Sequence, residues 1–243
     1  MAAGSGGRVL CYGASLTAGF TRYGFHPFGR VLERRVGWAS GCDVVGLNGF
    51  TAAQMLAGAE EAELTDRCGL PGAGLAAALR SHPYESLVLL AGTNDVLLRK
   101  PAAGTLEAVR GLLRTAAAAQ PPPRIVLLCT VPPGRLEATG VAEPDPIRAE
   151  LNAGLGILAE SEPGVSLCDV AAHVSAAAKR CVDEGADEAE DLYDDATHLT
   201  PDGYAWVGLA VAEALREDGP PGEEMGLFGA WETLVPEEEE EEL

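Results

Sequence analysis

Ser15 stands in Gly13-Ala14-Ser15-Leu16, directly after the first apolar run. His198 stands in Asp195-Ala196-Thr197-His198, near the far end of the chain. A serine hydroxyl is a weak nucleophile until a base takes its proton, so it needs an exposed turn and a neighbouring imidazole. A carboxylate three residues before a histidine can be folded by a single turn to receive the Nδ1 proton. That fixes the tautomer and leaves Nε2 free to act on a hydroxyl. Two further turns carry donors suited to a developing oxyanion. The Asn94 amide lies in Gly92-Thr93-Asn94-Asp95. Gly49, after Asn48, can offer its backbone N–H at close range because no Cβ blocks the approach. Together these residue types suit hydrolysis through a covalent serine intermediate.

Each piece alone has a plainer reading. A small-residue turn after a first strand also serves as a phosphate-binding or purely structural turn. The stretch 13–19 lacks both the lysine of a P-loop and the Gly-x-Gly-x-x-Gly spacing of a dinucleotide site. An isolated Asp-x-x-His is more often a surface turn with a capping histidine, and Asp191 and Asp194 compete with Asp195 for the orienting role. Asp95 reads as a cap on the segment that follows it. His82 and His173 lack a carboxylate at useful spacing. His26 sits in a His-Pro helix start, a structural position that can lie near a site.

The elements that must position these residues alternate. Five apolar runs, 9–12, 44–47, 87–91, 125–130 and 165–170, read as strands. They lack strict alternation, as strands covered on both faces do. Helical stripes separate them: Phe28, Val31, Leu32 and Val36; then Leu106, Val109, Leu112 and Leu113; then Ile147, Leu151, Leu155 and Leu158; and last Tyr204, Val207, Val211 and Leu215. Asp145-Pro146 and Thr200-Pro201 read as a cap followed by proline at the first helical position. Strand–helix alternation argues for an α/β domain with a five-stranded parallel sheet and helices on both faces. Sites in such sheets form beyond the carboxyl ends of the strands, where the Ser15, Gly49 and Asn94 turns fall. Segments 57–74 and 134–145 break the pattern. They read as surface connections, either of which could border a cleft.

Composition narrows the function classes. The chain has 243 residues, 47% of them hydrophobic, and a net charge of −20 from 37 acidic and 17 basic side chains. Residues 237–242 are all glutamate. So acidic a chain argues against binding a phosphate backbone, hence no nucleic acid partner. No stretch is long and apolar enough for a membrane span. Residues 1–7 resemble no secretory signal, so a cytoplasmic protein is the expectation. Six cysteines, with no Cys-x-x-Cys spacing, read as reduced and structural. The expected division is a catalytic domain over 8–218 and a C-terminal extension over 219–243. The extension carries Phe228, Trp231 and an acidic tail read as solvated and disordered.

Four blocks in one order resemble the SGNH (GDSL-type) hydrolase family: Gly-Ala-Ser-Leu at Ser15, Asn-Gly-Phe-Thr at Gly49, Gly-Thr-Asn-Asp at Asn94, and Asp-Ala-Thr-His-Leu-Thr-Pro-Asp-Gly-Tyr at Asp195 and His198. The last block is the most specific, and the resemblance covers about residues 8–216. It implies a three-layer α/β/α flavodoxin-like fold and a serine esterase acting on small to medium carboxylic esters, without metal or other cofactor. Ser15 would be the nucleophile, His198 the base and then acid, and Asp195 the orienting carboxylate. The Ser15 N–H, the Gly49 N–H and Asn94 would form the oxyanion hole. An acyltransferase using the same triad is the alternative; a non-catalytic binding module is a weaker one. The chain departs from the family at Ala14, where an aspartate is usual. That side chain braces the serine turn rather than joining the triad.

Overall fold

Strands buried on both faces must carry apolar side chains toward both, as the three central runs do, while the two edge strands are partly exposed. The structure is a computed structural model and describes residues 7–35, 41–183 and 192–217. Its central sheet contains β1 (Arg8–Gly13), β2 (Cys42–Gly46), β3 (Tyr84–Leu90), β4 (Ile125–Cys129) and β5 (Val165–Cys168). Every neighbouring pair is parallel, in the order β2-β1-β3-β4-β5. This is the flavodoxin-like order, with its switch point between β1 and β3.

The pleat sends alternate side chains to two cores. Leu10 and Tyr12 of β1 face one, while Val9 and Cys11 face the other. The first core is covered by α3 (Ala52–Ala57), α4 (Leu75–Ser81), α6 (Ala102–Ala117) and α8 (Pro146–Ser161), through Met55, Leu79, Leu112 and Leu155 among others. The second is covered by α2 (Gly29–Arg35), α9 (Val170–Asp183) and α10 (Pro201–Glu217), through Leu32, Val174 and Val211. The result is the expected three-layer α/β/α fold. Short helices α1 (Ser15–Ala18), α5 (Thr93–Leu97) and α7 (Arg135–Ala138) open directly after the strand ends or within the loops there. Among the described residues, no helix is long and apolar enough to cross a membrane.

Local signals place the helix starts. The Asp145 carboxylate accepts from the Ile147 N–H at 2.9 Å and the Arg148 N–H at 3.2 Å, with Pro146 at the first helical position. The Thr200 hydroxyl accepts from the Gly203 N–H at 3.1 Å at the head of α10. At the opposite edge of the sheet, Asp43 accepts from Arg8 and from the Tyr84 hydroxyl, tying the starts of β1, β2 and β3.

The structure also contains elements that the sequence pattern does not mark, among them the short helices α3 and α5. The run 165–170 ends as strand at Cys168, and Val170 begins α9, a helix not anticipated. Its buried stripe includes Ala177 and Ala178, whose small side chains leave little periodic signal. Segment 134–145 contains α7, and 57–74 contains a two-stranded hairpin, Leu64–Thr65 with Pro71–Gly72. Val36, Asp191 and the extension 219–243 lie outside the described residues.

A paired substitution in α8 tests this packing. Leu155 is fully buried, whereas Ile157 two positions on is 64% exposed. Leu155→Ala is expected to cost about 2–5 kcal/mol in urea unfolding, and Ile157→Ala no more than about 0.5 kcal/mol.

Candidate active site

The carboxyl ends of β1, β2 and β3 each turn sharply, and the turns converge. After β1 the chain enters α1 at Ser15. A Cβ on Gly13 would lie 2.2 Å from the Leu90 carbonyl oxygen and 2.3 Å from the Thr17 hydroxyl, so only glycine lets β1 and β3 approach so closely there. The Ala14 carbonyl accepts from the Thr17 and Ala18 N–H groups, each at 3.0 Å, and starts the helix. The Ala14 side chain is buried in the first apolar core, so this serine turn is held by backbone bonds and packing rather than by a carboxylate. Ser15, first in its helix, has no intrahelical acceptor for its own N–H.

His198 and Asp195 sit on a loop closed by an antiparallel bridge between Tyr193 and Leu199. The His198 Nε2 lies 3.0 Å from the Ser15 Oγ, and its Nδ1 lies 2.7 Å from the Asp195 Oδ2. The other Asp195 oxygen accepts from the Thr197 and His198 N–H groups, each at 2.7 Å. Burial pushes this carboxyl up, but the bonds from the imidazole and the two amides outweigh it. The net shift is below the usual aspartate range. Asp195 is therefore ionised at neutral pH. Because its folded pKa is depressed, its stabilising contribution is present above the ordinary aspartate range and lost as pH falls through the lowered value. Asp194 does not compete for the imidazole. It takes the Arg22 backbone N–H at 2.8 Å and the Arg22 Nε at 3.2 Å.

Two residues not singled out for chemistry in the sequence support the imidazole from its other side, Phe20 directly and Tyr204 through Phe20. The Phe20 ring packs on that of His198 with centroids 4.8 Å apart. The Tyr204 hydroxyl donates to the Phe20 carbonyl at 2.8 Å. Burial raises the Tyr204 phenol, keeping it a donor. Tyr204 closes the far-end motif, which was the signal available for it; Phe20 carried none. Of the other histidines, His26 donates its backbone N–H to the Gly19 carbonyl at 2.7 Å, a structural contact.

The second and third turns are clamped to each other. Gly49 adopts φ +76°. The Asn94 amide donates to the Phe50 carbonyl at 2.9 Å, leaving its second N–H for another acceptor. The adjacent Asp95, almost fully buried, accepts from the Ala52 N–H at 2.9 Å and from the Thr105 hydroxyl at 3.3 Å. Asp95 thus caps α3 across the turn, rather than the segment after itself as the sequence suggested. Burial raises its pKa despite these bonds. Asp66 does similar work one loop further out. Its two oxygens take the Asn48 N–H and amide and the Cys68 and Leu70 N–H groups.

The structure therefore joins Ser15, His198 and Asp195 in one hydrogen-bonded line, and separately ties the Gly49 and Asn94 turns through the Phe50 carbonyl, at the ends of adjacent strands. Among the described residues, no group of three or more His, Cys, Asp or Glu side chains could hold a metal ion. Cys11, Cys42, Cys68, Cys129 and Cys168 are free thiols. Loss of the Asp95 brace should be visible directly. Asp95→Ala is expected to expose the Ala52 amide to hydrogen exchange and to destabilise the fold by about 1–3 kcal/mol, measured by exchange mass spectrometry and urea unfolding.

Comparison with known proteins agrees with the four blocks. A carbohydrate acetylesterase family member from Sinorhizobium meliloti is 22% identical, with a TM-score of 0.62, covering 87% of this chain and 98% of that one. The inhibitor-bound aryl esterase of M. smegmatis is 20% identical, with a TM-score of 0.61, covering 87% and 99%. An acetyl xylan esterase is 18% identical, with a TM-score of 0.64, covering 86% and 99%. At these identities the likeness is one of fold. No curated protein matches the chain. Residues 11–206, by contrast, match the GDSL-like Lipase/Acylhydrolase family, which is most of the sequence. The chain belongs to that family.

Proposed function

We propose that this chain is a serine esterase that hydrolyses small to medium carboxylic esters through an acyl-enzyme on Ser15, its catalytic unit spanning residues 8–218. The observation that carries the reading is the continuous hydrogen-bonded line from the Ser15 Oγ through His198 to Asp195, at 3.0 Å and 2.7 Å. In this mechanism His198 Nε2 takes the Ser15 proton as Oγ attacks the ester carbonyl carbon. The carbonyl π pair moves onto oxygen, and the Ser15 N–H, the Gly49 N–H and the free Asn94 amide hydrogen stabilise the charge. Collapse breaks the bond to the leaving oxygen, which receives the proton from His198. Water then enters, His198 takes its proton, and the hydroxide equivalent attacks the acyl carbon. The carboxylic acid leaves as His198 returns a proton to Ser15. Asp195 stays ionised throughout and stabilises the imidazolium, consistent with its depressed pKa.

Solved relatives named for carbohydrate acetyl and acetyl xylan esters support a short acyl group. A panel of p-nitrophenyl esters from acetate to decanoate tests this, with the highest kcat/KM expected at the short end. Ser15→Ala and His198→Ala should each lower kcat by at least about 10³-fold, and Asp195→Asn by about 10⁴-fold. Asn94→Ala should cost about 10²–10³ in kcat. A fluorophosphonate should add once per chain, at Ser15. Unchanged hydrolysis in Ser15→Ala would overturn the proposal.

A further inference from the structure

Gly49 is overlain by an arginine. A Cβ built on Gly49 would lie 2.5 Å from the Arg67 Cδ and 3.0 Å from each of its Cβ and Cγ atoms. The aliphatic stem of Arg67 thus occupies the space a side chain at position 49 would fill. The guanidinium begins at the nitrogen bonded to that Cδ, so it is held within a few bond lengths of the Gly49 turn. The backbone places Arg67 beside this turn, since its N–H donates to the Asn48 carbonyl at 3.1 Å. Arg67 rides on the turn of the 64–72 hairpin, which is locked by the Asp66 N–H bond to the Leu70 carbonyl at 2.9 Å.

Among the described residues the head group has no carboxylate partner. Asp66, the adjacent carboxylate, already receives four donors: the Asn48 N–H and side-chain amide on one oxygen, the Cys68 and Leu70 N–H groups on the other. A carboxylate has about four acceptor sites, so Asp66 has none to spare. Glu60, across the hairpin, pairs with Arg80. Among the described residues no carboxylate pairs with Arg67, although acidic side chains outnumber basic ones 37 to 17. A surface so negative repels anions at long range, so an unpaired cation beside the site is a local exception to it. A guanidinium offers planar, paired donors matched to a carboxylate.

We propose that Arg67 is a specificity-determining residue that favours esters bearing a carboxylate near the scissile bond. This rests on the esterase reading above. The anion would pair with the guanidinium while the carbonyl oxygen sits against Gly49. Ground-state and transition-state binding gain alike, so the effect belongs mainly to KM.

Two matched pairs of substrates test it on the intact chain. p-Nitrophenyl hemiglutarate against p-nitrophenyl valerate places the charge on the acyl side. 4-Acetoxybenzoate against phenyl acetate places it on the leaving side. In one of the pairs, Arg67→Met is expected to lower kcat/KM for the charged ester about tenfold, through KM. The neutral partner should change less than about twofold. Arg67→Lys should recover part of the loss, and added salt should erode the wild-type value for the charged ester selectively. Equal losses on charged and neutral esters would assign Arg67 to packing over Gly49 and overturn the proposal, as would no selective loss in either pair. Failure of the esterase reading is separable, because wild type would then hydrolyse neither ester of any pair.

Discussion

The 3.0 Å contact between the Ser15 Oγ and the His198 Nε2 joins residues 183 positions apart. Each partner is delivered by a different device. Ser15 is placed by the end of β1, which pairs with β2 on one side and β3 on the other. His198 is placed by a bridged loop at the head of α10, which packs on the second core through Val207, Val211 and Leu215. A contact this short between two layers leaves no room for slack in either. Phe20 and Tyr204 add a direct strap between the two ends of the chain, with the Tyr204 phenol holding the backbone of the residue whose ring faces His198.

Around that contact, buried carboxylates act as braces. Asp95 and Asp66 each join turns that the sheet alone would leave independent. Asp195, partly exposed, is also bound by two backbone amides besides the imidazole. A buried carboxylate satisfied by several N–H donors resists displacement, because moving it leaves an unpaired charge and orphaned amides together. Ala14 stands out against this scheme. Its place in the apolar core is filled by a methyl, and the serine turn relies instead on the tight Gly13 crossing and on the first bonds of α1. The stem of Arg67 packs over Gly49, where a side chain at that position would lie.

The order of elements was legible wherever side-chain bulk made the pattern. Val, Leu and Ile runs marked all five strands, and Asp145-Pro146 and Thr200-Pro201 marked two helix starts to the residue. Alanine-rich α9 was not legible, since a stripe of methyl groups carries too little contrast. The short helices α5 and α7 escaped for another reason: one turn of helix has no room for a period. Asp95 was misassigned because a carboxylate at the head of a helix reads as its own cap, whereas the amide it meets is 43 positions away.

The sequence by itself determined the residue types able to do chemistry, the parallel α/β class and the family, because these depend on local pattern and on blocks of adjacent residues. Only the tertiary structure decided which aspartate meets His198, what Asp95 and Asp66 brace, and that Arg67 lies over Gly49. The physical reason is that hydrogen bonds and ion pairs form across space. Asp194 and Asp195 are chemically identical neighbours, and the strand-end turn that brings Arg22 to one of them leaves the other for the imidazole.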